Sequence, residues 1–179
     1  MFQRLLSRNG PQAKIRSLYG AVVAQARAPA FYSRYGVPDT VEGRFDMVLL
    51  HVYLVWRRLS QAGVSERKAA QATFDLFFQD MDESMRELGV GDLSVPRKVR
   101  AMGEAFYGRA GVYDAALADA QDEQLVAALK RNVFSDAENS KAKSLARYVR
   151  AADRALAAQT ASAVARGEVT FPAPEEAAS

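Results

Sequence analysis

Between Val41 and Ser60 the spacing of apolar residues marks one helix with two apolar stripes. Phe45, Leu49, Val52, Trp56 and Leu59 recur at intervals of four and three residues, lining one side of a 3.6-residue turn. Met47, Leu50 and Leu54 form a second stripe on nearly the opposite side. A helix apolar on two faces is either clasped at the centre of a domain or shows one face to a partner. Any fold for this chain must cover both stripes.

The rest of the chain supplies further helices for that purpose. No stretch alternates strictly as a half-buried strand does, and prolines sit at the ends of periodic segments. Asn9-Gly10-Pro11 signals a helix start, giving a helix over about 11–27. Asp39 or Thr40 caps the helix over 41–60, and Ser65 caps one over 66–88. Ser94 caps another, with Pro96 in its first turn, where a missing N–H costs nothing. Helices over about 111–119, 122–134 and 140–166 follow. The expected fold is all-α, a single-domain irregular helical bundle of about six to seven helices. Residues 1–28 read as a basic arm, 29–166 as the helical domain, and 167–179 as a flexible tail.

Little catalytic chemistry is available. The chain has no cysteine and a single histidine, His51, which removes disulfides, thiolate sites and His-pair metal sites. His51 lies in an apolar helix and reads as a packed residue with one hydrogen-bonded nitrogen; an acid–base role would need a concave pocket around it. Asp80 and Asp82 resemble paired metal carboxylates, yet residues two apart on a helix diverge by about 160°. They flank the apolar stripe of Phe74, Phe77, Phe78, Met81, Met85 and Leu88 on opposite sides. Asp82 should instead pair with Arg86 one turn on. Gly89-Val90-Gly91-Asp92 follows a helix rather than a strand, so it is a poor phosphate cradle. It reads as a stop, a turn and a start: Gly89 ends one helix in the left-handed conformation, Asp92 ties the turn, and Ser94 begins the next. We expect no catalytic residue, no cofactor and no metal.

Charge is placed unevenly. No acid precedes Asp39, whereas Arg4, Arg8, Lys14, Arg16, Arg27 and Arg34 do; the remainder carries 18 basic residues against 21 acidic ones. Such an arm suits an anionic membrane surface, ribosomal RNA or an acidic protein face. Its arginine-rich composition also has the character of a mitochondrial presequence, and Ala24-Gln25-Ala26 that of a signal-peptidase site. The apolar part is short and broken by Gly20 and Gln25, which argues against a secretory signal. The longest apolar run, "MVLLHVYLVW", falls far short of the ~20 residues that span a bilayer.

Three strings stand out: "FYSRYGVPDTVEGRFDMVLLHVYLVWRRL", "FFQDMDESMRELGVGDLSVPRKVRAMGEAFYGR" and "YDAAL". Together, over about Phe31 to Leu117, they resemble the ubiquinol–cytochrome c chaperone family, assembly chaperones for cytochrome b of respiratory complex III. The resemblance implies an all-helical, non-enzymatic protein that binds cytochrome b as its client. Mitochondrial members work beside the ribosomal tunnel exit with a small partner protein and hold new cytochrome b until haem insertion and assembly. The short form here looks like a bacterial member, cytoplasmic and peripheral at the inner membrane. Arg4, Arg8, Lys14, Arg16 and Arg27 then become the expected membrane or ribosome contact, with no sequence-specific nucleic acid involved. A ribosome- or RNA-associated adaptor using that arm is the alternative.

Several distinctive positions in these strings are polar or glycine, among them Asp39, Gly43, Arg44, Asp46, Asp82, Arg86, Gly89, Asp92 and Arg109. Some serve as caps and turn locks. Arg44, Arg57, Arg86 and Arg109 are expected to rim an apolar client groove, with Met47, Leu50 and Leu54 as its floor; methionine packs adaptably.

Overall fold

The computed structural model describes residues 10–87, 89–91, 93–134 and 140–174. Among them every regular element is helical: α1 (Pro11–Ala26), α2 (Pro29–Ser33), α3 (Val41–Ser60), α4 (Val64–Glu87), α5 (Val95–Ala118), α6 (Glu123–Leu129), α7 (Ala142–Ala158) and α8 (Ala161–Ala165). A π-turn over Lys130–Phe134 continues α6. The all-α, single-bundle expectation holds.

Local sequence sets most of the boundaries. The Thr40 hydroxyl accepts from the Gly43 N–H at 3.1 Å, satisfying one of the free donors at the start of α3. Pro11 and Pro96 stand in the first turns of α1 and α5. Gly89, at φ +80°, ends α4 in the left-handed region as its spacing predicts. The Asp92 tie lies outside the described residues. Three boundaries differ from expectation. Because α4 begins at Val64, Ser65 lies inside its first turn rather than capping it. α5 runs unbroken to Ala118 through Gly108 and Gly111, since Phe106, Ala110, Tyr113 and Ala116 keep one buried stripe across them. The expected helix over 140–166 breaks after Ala158, where the Thr160 side chain caps a new short helix.

The axis of the bundle is α3. It is packed against α1, α4, α5, α7 and α8, so both of its stripes are covered. Met47, Leu50 and Leu54 are 0, 1 and 0% exposed. They cannot meet a client in this state, and their assignment to a client surface is corrected: neighbours on every side make the second stripe core. Aromatic contacts join α4 to α5, with the rings of Phe74 and Phe106 4.6 Å apart.

Near both ends the described residues differ from the expected arm and tail, whose residues 1–9 and 175–179 lie outside them. Leu18, Tyr19, Val22 and Ala26 of α1 are buried, so residues 11–26 form a bundle helix, not a separable arm. Val169 and Phe171 pack on the core, and Tyr35 holds the Pro174 carbonyl at 2.7 Å. Residues 168–174 are therefore a docked strap, contrary to the flexible tail expected from 167 onward.

Candidate functional site

The arginines expected to form one rim are dispersed, and they do different work. Arg57 donates to Asp114 of α5 at 2.5 Å and to Asp153 of α7 at 3.1 Å, while Tyr53 also donates to Asp114. Arg109 of α5 donates to Asp46 of α3 at 2.5 Å. Burial still holds the Asp46 carboxyl above its usual range, with Arg109 offsetting part of the shift. Arg57 and Arg109 are thus staples between helices. Arg86 pairs with Asp82 at 2.7 Å on the surface of α4, as the spacing predicts. Arg44 is exposed, donates to Asp39 at 2.6 Å and lies 5.7 Å from the Tyr32 ring centre. These four arginines do not converge on one site, and their joint rim around Met47, Leu50 and Leu54 is corrected.

His51 is sealed in the core, 0% exposed. Its Nδ1–H donates to the Met47 carbonyl at 2.8 Å, leaving Nε2 to accept from the Tyr148 hydroxyl at 2.8 Å. Gln25 donates to that hydroxyl oxygen at 2.9 Å. Both ring nitrogens are engaged, where the sequence reading provided for one. Full burial pushes the imidazole pKa down to about 4, so the ring is neutral at physiological pH. Asp80 and Asp82 serve separate partners, Asp80 accepting from Tyr19 at 2.7 Å. Among the described residues no group of three or more metal-ligating side chains converges.

The open surface lies along α1. Four hollows, with volumes of about 380 to 530 Å³, share lining residues and form one groove. Arg27 borders the first two, Arg16 and Leu76 the second and third, and Ile15 and Ala72 the third and fourth. Helices α1 and α4 form its long walls and run the same way, since Ile15 lies by Ala72 and Tyr19 reaches Asp80. At 1.5 Å per residue, α1 gives a wall about 24 Å long. The half-buried Ile15, Val23 and Leu76 make an apolar floor packed on the core. Arg16, Arg27 and Arg44 edge it on one hand, Asp75, Asp80 and Glu83 on the other. Of the expected anionic-surface residues, Arg16 and Arg27 lie on this groove and Lys14 at its far end; Arg4 and Arg8 fall outside the described residues.

Two glycines show how differently the molecule is filled. A Cβ on Gly20, inside the groove, would meet nothing within 4 Å. A Cβ on Gly43 would come within 2.0 Å of the Pro38 carbonyl oxygen. Gly43 is a close-approach glycine, which explains its place among the distinctive positions without a binding role. Sequence reading missed the groove because α1 carries no clean stripe. "LYGAVVAQA" reads as weakly apolar all round, and only the docking of α1 decides which residues line a surface.

The chain matches the family described as Ubiquinol-cytochrome C chaperone over residues 33–171. It is 26% identical over 118 residues to ubiquinol-cytochrome-c reductase complex assembly factor 1 of Xenopus laevis, a match covering 66% of this chain and 58% of that protein. The Homo sapiens assembly factor 1 is 27% identical over the same length, 66% of this chain and 39% of its own. The matches thus span less than two thirds of either relative. Among solved structures, the Cbp3 homolog from Brucella abortus is 36% identical and superposes with a TM-score of 0.86, covering 93% of this chain and 92% of that one.

Proposed function

The chain belongs to the ubiquinol-cytochrome C chaperone family, and from that premise we propose that it is a non-enzymatic assembly chaperone that binds newly made cytochrome b. Relatives named as assembly factors of the ubiquinol-cytochrome c reductase complex support the process; the choice of client is our own. One observation carries the reading: the groove between α1 and α4 has an apolar floor, charged edges and length enough for several turns of a helical segment. A chaperone for a membrane protein must offer apolar area yet remain dispersed when empty, and a bordered groove does both. No helix among the described residues is long and apolar enough to cross a membrane. Along the groove basic and acidic residues are mixed, Arg16 and Arg27 with Asp80 and Glu83, Lys68 with Glu66 and Arg44 with Asp39, rather than merging into a single-sign stripe, so nothing here favours the RNA-adaptor alternative.

Gly20→Trp tests this reading, because the added ring enters open space in the groove. The variant should keep its helical spectrum and melting temperature, while cytochrome b recovered with it from cells falls at least tenfold. Gln79→Trp, exposed on the α4 wall, gives an independent block. Undiminished cytochrome b with both folded variants overturns the groove as the client site. Absence of cytochrome b from the wild-type purification overturns the client.

A further inference from the structure

Residues 168–173 have neither helical nor strand structure, yet the protein holds this stretch and Pro174 by their main chain. The Gln159 amide clamps Thr170, its Nε2 donating to the carbonyl at 2.8 Å and its Oε1 accepting from the N–H at 2.9 Å. Gln25 donates to the Pro172 carbonyl at 3.0 Å, and the Tyr35 hydroxyl donates to that of Pro174 at 2.7 Å. Every second carbonyl is taken, which is the period of an extended chain. Pro172 and Pro174 bring no N–H that would need a partner. The one ring contact is Phe171, which meets the His51 ring edge-on at 5.5 Å. Thr170 and Ala173 face solvent.

This is how peptide-recognition channels read a ligand: hydrogen bonds to main chain, with a pocket for one side chain. Recognition of this kind specifies shape more than sequence. Three elements far apart in the chain provide it: α1 gives Gln25, the loop after α2 gives Tyr35, and the break after α7 gives Gln159. A frayed end would not need such a set.

We infer that this channel is a second binding site, for an extended client segment with an aromatic residue near its middle, and that the chain's own Val169–Pro174 strap occupies it until displaced. The inference rests on the chaperone reading for its client and adds a site separate from the α1–α4 groove. The tethered strap competes at a high effective concentration, so a free segment gains access only when the strap is weakened or the client is itself held nearby.

The test uses the full chain carrying Phe171→Ala and a fluorescein-labelled peptide of sequence EVTFPAPE, that of residues 168–175. Fluorescence anisotropy should show the peptide binding this variant at least tenfold more tightly than wild type. Replacing the peptide's own phenylalanine by alanine should weaken binding at least tenfold, as should adding Gln159→Ala to the protein. A folded Phe171→Ala chain that takes up no peptide overturns the inference. Loss of the helical spectrum on this substitution would make the strap core and overturns the inference as well. Exchange of straps between two copies, seen as a dimer by light scattering that excess peptide does not dissociate, overturns it too. Peptide binding is measured without any client, so its failure leaves the chaperone reading standing, whereas absence of cytochrome b from the purification strikes that reading alone.

Discussion

The bundle has two elongated apolar clefts, and they are finished in opposite ways. Over α3 and α7 the cleft is filled by the chain's own strap, and its polar groups run in a continuous chain from the Pro172 carbonyl through Gln25 and Tyr148 to His51. Among the described residues no buried side-chain nitrogen or oxygen is left without a partner. Between α1 and α4 the cleft is empty, its floor half-buried and its edges charged. The difference teaches where this molecule has spare capacity. Change on the filled side breaks packing and paired polar groups, whereas change on the open side meets water. Stability should therefore be sensitive on the filled side, whereas substitutions on the open side should act on binding alone.

Acid should separate the two sides most strongly. His51 has a folded-state pKa depressed to about 4 against an ordinary value of 6.5. Above 6.5 the ring is neutral in both states, and its contribution to stability is fully present. As pH falls from 6.5 towards 4, the unfolded chain takes up a proton that the folded chain refuses, and stability is lost. The loss approaches about 3 kcal/mol by pH 4, on the order of 10 °C in melting temperature. Thermal melts across this window should show the slope, and His51→Gln should flatten it. An unchanged slope in that variant would place the acid sensitivity elsewhere.

The same substitution at two glycines should have opposite signs. Gly43→Ala forces a Cβ against the Pro38 carbonyl and should cost about 2 kcal/mol despite the better helix former. Gly20→Ala, with open space around it, should gain up to about 1 kcal/mol. Urea denaturation of the two variants checks both signs. A destabilised Gly20→Ala would mean that the groove is tighter than the geometry shows.

The smallest effect belongs to Arg44. It is exposed and its partner Asp39 is equally so, with solvent screening the pair. Arg44→Gln should leave the melting temperature unchanged within error while lowering recovery of cytochrome b, because Arg44 edges the groove. A melting temperature that drops by several degrees would make it a staple like Arg57.

Much of this architecture was legible in the sequence. Helix periodicity, the Thr40 cap, Pro96 in a first turn and the left-handed Gly89 depend on residues within one turn of each other, so local chemistry decides them. The Asp82–Arg86 pair and the divergence of Asp80 from Asp82 follow from helix geometry for the same reason. Site residues fared differently. Met47, Leu50 and Leu54 were correctly seen as a second apolar stripe, but a stripe has the same sequence whether a neighbour or a client covers it. Arg57 and Arg109 were visible as arginines in apolar surroundings, not as donors to Asp114, Asp153 and Asp46, which lie between 57 and 96 positions away.

The sequence by itself determined that the chain is helical, that α3 must be covered on two sides, and that thiol or paired-histidine chemistry is absent. Each follows from residue type or from spacing within a few turns. Only the tertiary structure decided which apolar surface is left open and which is closed. The strap shows why. Glycine, two prolines and a lack of periodicity give residues 167–174 every local mark of a loose end, and the local hydrogen bonds that close α8 involve only Gly167 and Glu168 of them. Their carbonyls are instead satisfied by Gln25, Tyr35 and Gln159, brought together by the packing of α1 and α7 around α3. A hydrogen bond between positions 139 or 147 residues apart has no local signature, because its geometry exists only after the chain between them has folded.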